Sequence, residues 1–542
     1  MGGSLWLPQI RSVWFPGCVV RAHVPGARSP ARVRHCGADE VMEAPGNRFS
    51  RTTGSTVLQP ISDFLHMPLE QVNFVTCQLL ALVIAVWFRT YLNPRKAHTF
   101  IRHGIATIIG VYLAVFCFGW YSLHIFSLIL LSYCVMIYAS TEKVHRYSFV
   151  LAIGYLTLCQ INRVYIFNYG ILTTDFSGPL MIVTQKITTL AFQLHDGMCK
   201  NPGTLSKQQL NESIKGKPNF LEYISYHLNF MSILAGPCSN FNEYIGFIEG
   251  RHIQTKLTKV KIKDDNTLIE PSPNKAVITK LVICVVSLTV FLTICKAFPL
   301  ADMLDDKFID ESSLLWKLVY LYISTMACKP KYYFAWTLAD AINNAAGYGF
   351  NGIDEDGNYR WDQISNLNIW NIEMATSFKM YIDNWNIQTA AWLKRVSYDR
   401  APKYCTGLTF LLSAIWHGVY PGYYFTFLTG IPVWWVARGM RKRFRHFFIS
   451  TKFRKVVYDI ITWTVTQLAI SYTVAPFFLL ATEPTIKLYK SVYFYFHIVV
   501  VIALILLSIT SSDDHQRTLS KRTVLSSTNH VQYIENVKFH ST

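Results

Sequence analysis

Apolar runs of roughly the length that crosses a bilayer recur along almost the whole chain. A membrane helix needs about 20 mostly apolar residues, so a chain built this way folds as a bundle of helices in lipid. Twelve runs are present, at 73–92, 104–120, 122–139, 148–167, 219–236, 277–298, 313–327, 332–350, 404–417, 423–437, 457–481 and 491–510. Breaks within 332–350 and 404–437 predict about eleven spans with some short or re-entrant helices: an all-α, polytopic membrane protein.

Composition and charge agree with this interpretation. Charged residues make up 15% of the chain, whereas a soluble domain would have about 25%. The net charge of +18 would suit nucleic acid in a soluble protein, but here most Lys and Arg residues fall in short connections between apolar runs. We therefore expect no nucleic-acid partner. The densest basic segment, 438–455, is predicted to be a cytosolic loop.

Three regions follow from the distribution of polar residues. Residues 1–50 are rich in Arg, Pro and Gly and predict a disordered extension. Residues 51–510 form one membrane domain without an internal repeat, and 511–542 form a polar tail. The sequence carries no indication of oligomeric state.

One histidine, His417, lies in the apolar run Leu408–Tyr424. Strongly polar side chains are costly in hydrocarbon and usually face a cavity where they act, which makes His417 a functional candidate. The alternative is a core histidine bonded to a backbone carbonyl, or an interfacial residue. The helix-breaking glycines and proline that follow, and the aromatic rings of Trp416 and Tyr423, favour a cavity.

The sequence spacing permits one amide, that of Asn386, to contact this histidine. Asn386 precedes His417 by 31 residues, enough for a helix, a loop and a second helix to bring them together. It follows Trp385, at the end of a segment rich in Asp, Asn and Trp that suits a membrane interface. Trp385, like Trp416 and Tyr423, is a candidate for the lining of a substrate tunnel. A neutral imidazole is a general base, and an amide orients it or donates to an oxyanion. The pair is sufficient for acyl transfer from a thioester, although Asn386 could also be a capping or packing amide.

Other chemistry has less support in the sequence. There is no G-x-S-x-G elbow and no convincing cysteine partner for a histidine, which favours direct transfer over a covalent acyl-enzyme. No histidine pair has the spacing of metal ligands, and the cysteines are scattered singly. We expect neither a metal nor a permanently bound cofactor.

A second polar group lies in the aromatic segment 329–350. Asp340, Asn343 and Asn344 fall in its middle, and Asp340 and Asn344 are one helical turn apart on a shared face. Two interpretations remain open at this point. The three residues could line a substrate tunnel, or they could join neighbouring helices by hydrogen bonds.

These motifs together resemble the membrane-bound O-acyltransferase family. The match rests on Trp385-Asn386-Ile387, Ser413-Ala414, Trp416-His417-Gly418 and Pro421-Gly422-Tyr423-Tyr424. Four further stretches resemble its lysophospholipid acyltransferase branch: Asp175-Phe-Ser-Gly-Pro179, Phe220-Leu-Glu-Tyr223, Leu234-Ala-Gly-Pro237 and Lys331-Tyr-Tyr-Phe-Ala-Trp336. The resemblance implies a multi-helix fold around an intramembrane acyl-transfer chamber, with His417 and Asn386 as the catalytic pair.

The resemblance also implies substrates and a location. A long-chain acyl-CoA, preferentially oleoyl-CoA, would donate its chain to the sn-2 hydroxyl of lysophosphatidylethanolamine or lysophosphatidylserine in the endoplasmic reticulum membrane. Two other functions compete with this one. A protein or sterol acceptor would need an opening for it that nothing in the sequence identifies. A transporter or channel would be expected to carry paired intramembrane charges or inverted repeats, and neither is apparent.

Overall fold

The structure is a computed structural model that describes residues 53–166, 175–258 and 271–509. The predicted N-terminal extension and polar tail lie outside these ranges. Within them the secondary structure is helical, and the only strand-like pairings are two isolated bridges, Ile353 with Tyr359 and Leu367 with Trp385. The all-α class is therefore confirmed for the described residues.

The helices follow one another in three groups, which are separated by the two internal gaps. The first group is α1 Gln59–Leu65, α2 Leu69–Tyr91, α3 Thr99–Phe118, α4 Ser122–Tyr138 and α5 Val144–Ile161. The second is α6 Ser177–Cys199, α7 Lys207–Glu212, α8 Phe220–Leu228, α9 Phe241–Ile248 and α10 His252–Thr258. The third is α11 Asn274–Ala297, α12 Asp306–Glu311, α13 Leu314–Cys328, α14 Pro330–Ala345, α15 Ile369–Glu373, α16 Phe378–Asn384, α17 Ile387–Leu393, α18 Cys405–His417, α19 Pro421–Phe448, α20 Lys452–Leu479, α21 Thr482–Ser491 and α22 Tyr495–Ile509.

Short turns of other helix types connect or extend these elements. The 3₁₀ turns are Gly119–Tyr121, Pro202–Thr204 and Leu300–Leu304. Two π-helical turns extend α5 and α17, at Asn162–Ile166 and Lys394–Tyr398. Such wide turns are rare and occur often at functional sites, which makes the end of α5 a place where function is expected.

The predicted span count is not confirmed. Among the described residues, three helical stretches are long and apolar enough to cross a bilayer: Leu69–Tyr91, Thr99–Tyr138 and Asn274–Leu304. The pair α21 and α22, bent by 75°, makes a fourth if it is one span. The second stretch merges two of the predicted runs, and several other runs form helices that are shorter or carry more polar residues.

One predicted run does not form a continuous helix. Within 219–236 only α8 is helical, and it ends at Leu228. Just past this end, the side-chain Nδ2 of Asn229 donates to the carbonyl oxygens of Ser225 and Tyr226, at 3.1 and 2.9 Å. Terminal carbonyls of a helix need such partners, and here a side chain supplies them in place of a further turn.

A central helix, α6, is absent from the predicted runs. Most of its 23 residues are buried, including Lys186, whose Nζ donates to the Tyr226 carbonyl at 3.0 Å and to the Ser232 hydroxyl at 2.5 Å. Because α6 is surrounded by other helices, its polar side chains find partners inside the protein. Hydropathy therefore overlooks it.

The basic segment 438–455 is not a loop, contrary to expectation. Helix α19 continues through Arg445 to Phe448, and α20 begins at Lys452, so three residues alone separate the two helices. The basic side chains stand on the last turns of one helix and the first turn of the next. Cations are favourable at a helix C-terminus, which helps α19 to extend past its apolar part.

Candidate active site

Helix α18 ends at His417 because the next residue adopts a backbone conformation that favours glycine. Gly418 has φ +143°, and a Cβ built on it would lie 3.1 Å from Cε2 of Tyr423. Pro421 then starts α19 in its first turn, where a missing N–H is tolerated. The break between α18 and α19 therefore fixes the position of His417 at a helix end.

The His417 ring is held by one hydrogen bond and a set of aromatic side chains. Its Nδ1 lies 2.7 Å from the carbonyl oxygen of Ser413, four residues earlier. Since a carbonyl only accepts, Nδ1 carries the hydrogen, and the neutral ring has its lone pair on Nε2. Ring centroids of Trp416, Phe427 and Phe477 lie 4.6, 4.9 and 5.2 Å away. The ring is therefore oriented with a basic nitrogen available.

Trp416 fastens the end of α18 to three other helices. Its indole Nε1 donates to the carbonyl oxygen of Met181 on α6 at 3.1 Å, and its ring lies 5.7 Å from that of Trp392 on α17. Its own carbonyl oxygen accepts a 3.1 Å hydrogen bond from Gln160 on α5. Trp416 is buried, so it acts here as a packing anchor beside His417.

Asn386 stands immediately before α17 in a left-handed conformation, with φ 49° and ψ 51°. Asparagine tolerates this conformation better than most residues. Its side chain makes no capping bond to α17. Asn366 does so instead, accepting from the Ile387 amide at its carbonyl (2.9 Å) and from the Gln388 amide at Oδ1 (3.1 Å). A capping role is thus wrong for Asn386, while the alternative of a packing amide stays open beside the catalytic one.

The predicted catalytic pair lies on neighbouring helices. Helices α17 and α18 pack against each other, and both contact α6 or α5. Across the described residues, no hydrogen bond joins the side chains of Asn386 and His417. The contact between the two helices that involves the end of α18 is that of Trp392 with Trp416, and Asn386 does not line the cavity at His417.

Trp385 belongs to an aromatic cluster that positions the residue after it. Its ring stacks on Tyr381 with a centroid distance of 6.1 Å and meets Trp336 and Tyr332 edge-on at 5.6 and 5.8 Å. Two of these partners, Tyr332 and Trp336, lie on α14. The cluster fixes the chain just before Asn386.

The polar residues of α14 join helices. Asp340 forms an ion pair of 2.6 Å with Lys280 of α11 and accepts a 2.5 Å hydrogen bond from Ser365. Asn344 accepts from the same lysine at 2.7 Å, and Asn343 donates to the carbonyl oxygen of Met231 at 3.1 Å. These contacts favour the second of the two interpretations of this group, that of hydrogen bonds between elements.

A small cavity beside His417 is lined in part by residues that were not predicted from the sequence. It has room for about one water molecule. The lining residues are Gln160, Arg163, Val164, Ser177, His417, Gly418, Val419, Tyr420 and Tyr423. Tyr423 is fully buried, and its hydroxyl has no hydrogen-bond partner among the described residues. A signal for Arg163 was available, because a permanent charge inside the apolar run 148–167 is as unusual as His417.

Arg163 is held at the cavity by an ion pair. Its Nη1 lies 2.6 Å from Oδ1 of Asp175 and 3.1 Å from the hydroxyl oxygen of Ser177. The Ser177 hydroxyl donates to the same Asp175 oxygen at 2.5 Å. Asp175 and Ser177 belong to one of the stretches that carry the family resemblance. Over the described ranges, no group of three or more metal-ligating side chains is present.

Comparison with known proteins places the chain in a family. The sequence profile of the membrane-bound O-acyltransferase family matches residues 161–478, more than half of the chain, including Arg163, Asn386 and His417. The chain therefore belongs to the membrane-bound O-acyltransferase family and is an acyltransferase.

Individual relatives are similar over nearly their whole length. "Membrane-bound glycerophospholipid O-acyltransferase 1" of Mus musculus is 59% identical over 482 residues, 89% of this chain and 98% of the relative. The protein of that name from Homo sapiens is 60% identical over 475 residues, 87% and 96% of the two chains. "Membrane-bound glycerophospholipid O-acyltransferase 2" of Homo sapiens is 54% identical over 469 residues, 86% and 90%. The family resemblance drawn from the motifs is confirmed.

Proposed function

We propose that the protein transfers an acyl chain from acyl-CoA to the free sn-2 hydroxyl of a lysophospholipid, with lysophosphatidylethanolamine and lysophosphatidylserine as acceptors and oleoyl-CoA as the preferred donor. The similarity to relatives named as glycerophospholipid O-acyltransferases supports the acceptor class. The membrane is that of the endoplasmic reticulum, and the reaction remodels phospholipids there.

The observation that carries the chemistry is the hydrogen bond from His417 Nδ1 to the Ser413 carbonyl, which leaves Nε2 as the basic nitrogen. Nε2 takes the proton of the lysolipid hydroxyl as its oxygen attacks the thioester carbonyl carbon. The new C–O bond forms, the C–S bond breaks as the intermediate collapses, and the proton passes from the imidazolium to the CoA sulfur. A positioned base of this kind contributes roughly 10²- to 10⁴-fold.

Asn386 has the complementary role. Its side-chain amide is not used to cap α17, so its N–H groups are available to donate to the oxyanion of the tetrahedral intermediate. An oxyanion donor of this type is worth about 10²- to 10³-fold. The surrounding rings of Trp416, Phe427 and Phe477 limit water, which would otherwise hydrolyse the thioester.

The donor approaches from the basic end of α19 and α20, where Arg438, Arg441, Lys442, Arg443, Arg445, Lys452, Arg454 and Lys455 cluster. Clustered positive charge attracts the phosphates of CoA. The lysolipid arrives laterally from the bilayer. Acyl-CoA and the lysolipid are both substrates, and they leave as free CoA and the phospholipid product. The proposed reaction uses no permanently bound cofactor.

The test incubates membranes that hold the wild type or His417→Ala with labelled oleoyl-CoA and a panel of lysophospholipids, followed by separation of the lipid products. Labelled diacyl product from the wild type alone supports the proposal. Absence of product with every lysolipid, at equal protein level, would contradict it and favour a protein or sterol acceptor. Co-fractionation with endoplasmic reticulum markers tests the location.

A further inference from the structure

The ion pair between Arg163 and Asp175 is only partly satisfied. One oxygen of Asp175, Oδ1, takes the contacts from Arg163 Nη1 and from Ser177. Among the described residues, the buried Nε of Arg163 and the buried Oδ2 of Asp175 have no hydrogen-bond partner. Buried charged groups in folded proteins normally have their polar atoms paired, so an unpaired donor and an unpaired acceptor on one ion pair point to a ligand or water.

The pair lies close to the molecular surface. The side chains of Arg163 and Asp175 keep 16% and 11% of their exposure, and Tyr165, two residues after Arg163, is 73% exposed. Arg163 itself stands in the π-helical turn that extends α5. Arg163 and Ser177 also line the small cavity that His417 lines, so a polar group bound at the pair lies next to the histidine.

The charges available at this position match a zwitterion. The guanidinium offers a positive donor, and the carboxylate offers a negative acceptor next to it. A phospholipid head group of the ethanolamine type presents the reverse, a phosphodiester anion linked through two carbons to an ammonium. We infer that Arg163 and Asp175 bind the head group of the acceptor, with Arg163 Nε donating to the phosphodiester and Asp175 Oδ2 accepting from the ammonium.

This inference rests on the function proposed above and deepens it by naming what selects the acceptor. A primary ammonium has N–H groups to donate to Asp175, as ethanolamine and serine head groups do. A trimethylammonium has none and would leave the buried carboxylate oxygen unsatisfied. A site built to hydrogen-bond a substrate group rejects the analogue that lacks it, so choline lysolipids should be poor acceptors.

The experiment uses four lysolipids with one acyl chain and a head-group nitrogen carrying zero, one, two or three methyl groups. The wild-type chain in membranes is expected to lose kcat/KM stepwise along the series, at least tenfold in total. Asp175→Asn keeps an oxygen that accepts from the Ser177 amide, now 3.0 Å from Oδ1, but removes the charge. In this variant kcat/KM should vary less than threefold across the four lysolipids, mainly because transfer to the ethanolamine lysolipid is slower.

The matched control is Asp196→Asn. Asp196 lies in the last turn of α6, is buried, and forms an ion pair of 2.5 Å with Arg400. The control substitution removes the same carboxylate chemistry from a buried pair at the opposite end of the helix. In Asp196→Asn the ratio of kcat/KM between the four lysolipids should stay as in the wild type, even if all four rates change together.

A binding measurement separates recognition from turnover. The melting temperatures of purified wild type, Asp175→Asn and Asp196→Asn are measured in the presence of the ethanolamine or the choline lysolipid. The ethanolamine lysolipid should raise the melting temperature more than the choline lysolipid in the wild type and in Asp196→Asn. In Asp175→Asn the two lysolipids should raise it equally.

Two results would overturn the inference. One is a wild type that uses all four lysolipids equally, and the other is an Asp175→Asn variant that slows all four by one common factor, which would make the pair structural. If the wild type transfers to no lysolipid, the proposed function has failed, and the melting series alone decides. Head-group-dependent stabilisation lost in Asp175→Asn then supports the binding site, and its absence in the wild type refutes it.

Discussion

The Nδ1 of His417 lies 2.7 Å from the carbonyl oxygen of Ser413, and the same arrangement recurs at His227, whose Nδ1 lies 2.8 Å from the carbonyl oxygen of Tyr223. Each histidine bonds to the residue four positions earlier on its own helix. They differ in surroundings, because His417 lines the cavity whereas His227 is fully buried within α8. The hydrogen bond to the preceding turn is therefore a structural feature that both histidines share, whereas the position beside the cavity distinguishes His417.

Replacement of His417 by glutamine should slow acyl transfer strongly while leaving the protein folded. The glutamine amide can still donate towards the Ser413 carbonyl, but it has no basic nitrogen to take the hydroxyl proton. We expect kcat to fall by about 10²- to 10⁴-fold. The measurement is the initial rate of product formation per mole of protein recovered as a single peak on gel filtration in detergent.

His227→Gln is the matched control for this change. It alters the same kind of hydrogen bond in a buried position and is expected to lower thermal stability. Activity per folded molecule should stay within a factor of about two. Full activity in His417→Gln, or equal losses in both variants, would argue against His417 as the base.

Substitution of Asn386 should reduce transfer through loss of its amide and not through its backbone. Asn386→Gly accommodates the positive φ of 49° and removes the side chain, while Asn386→Ala adds the strain of that conformation. Both should lose about 10²- to 10³-fold in kcat. The alanine variant should in addition melt at a lower temperature.

Tyr404→Gly controls for the removal of a side chain at a left-handed position. Tyr404 precedes α18 with φ 56° and is 85% exposed. Glycine relieves the conformation there, so activity should be unchanged. An Asn386→Gly variant with near wild-type kcat would show that the amide is not used in the reaction.

Gly418→Ala should lower both stability and activity, because it changes the backbone at the end of the His417 helix. The positive φ is unfavourable for alanine, and the new Cβ would approach the Tyr423 ring to 3.1 Å, which displaces either that ring or the His417 helix end. We expect a loss of about 1–3 kcal/mol in stability and at least tenfold in kcat. Gly407→Ala, on the same helix with no atom within 4 Å of the new Cβ, should leave kcat unchanged and stabilise slightly.

Some of these features can be predicted from the sequence because they are local. The run 73–92 corresponds to α2 at Leu69–Tyr91, and 277–298 corresponds to α11 at Asn274–Ala297, since an isolated apolar stretch forms its own helix. His417 is a functional candidate on the sequence alone because a polar ring among apolar neighbours is also a local signal. Its role as the base stays a prediction.

Other features depend on contacts between distant parts of the chain. Gln160 reaches the carbonyl of Trp416 across 256 residues, and Asn366 supplies the cap that Asn386 was free to make. Helix α6 is polar enough to escape a hydropathy search, yet it lies at the centre of the bundle. The hydrogen-bond partners of its polar side chains lie on neighbouring helices. A single sequence does not show which helices are neighbours.

The ion pair of Asp340 with Lys280 allows a test of the two interpretations of the α14 polar residues. Its side chains are 7% and 16% exposed. Asp340→Ala leaves a mostly buried lysine without its carboxylate, and breaking such a pair costs about 3–5 kcal/mol. The variant should melt well below the wild type, and the folded fraction should retain its kcat.

The double replacement Lys280→Met with Asp340→Leu distinguishes structure from substrate contact. Apolar residues of similar volume often replace a buried ion pair at little cost, so much of the melting temperature should return. If the pair only joins α11 to α14, kcat and KM of the double variant stay near those of the wild type. If Asp340 instead contacts substrate in a tunnel, the double variant is stable but its kcat/KM stays at least tenfold low. Because Lys280 also donates to Asn344 and to the carbonyl of Trp361, we expect the melting temperature to recover only in part, while kcat stays at the wild-type value.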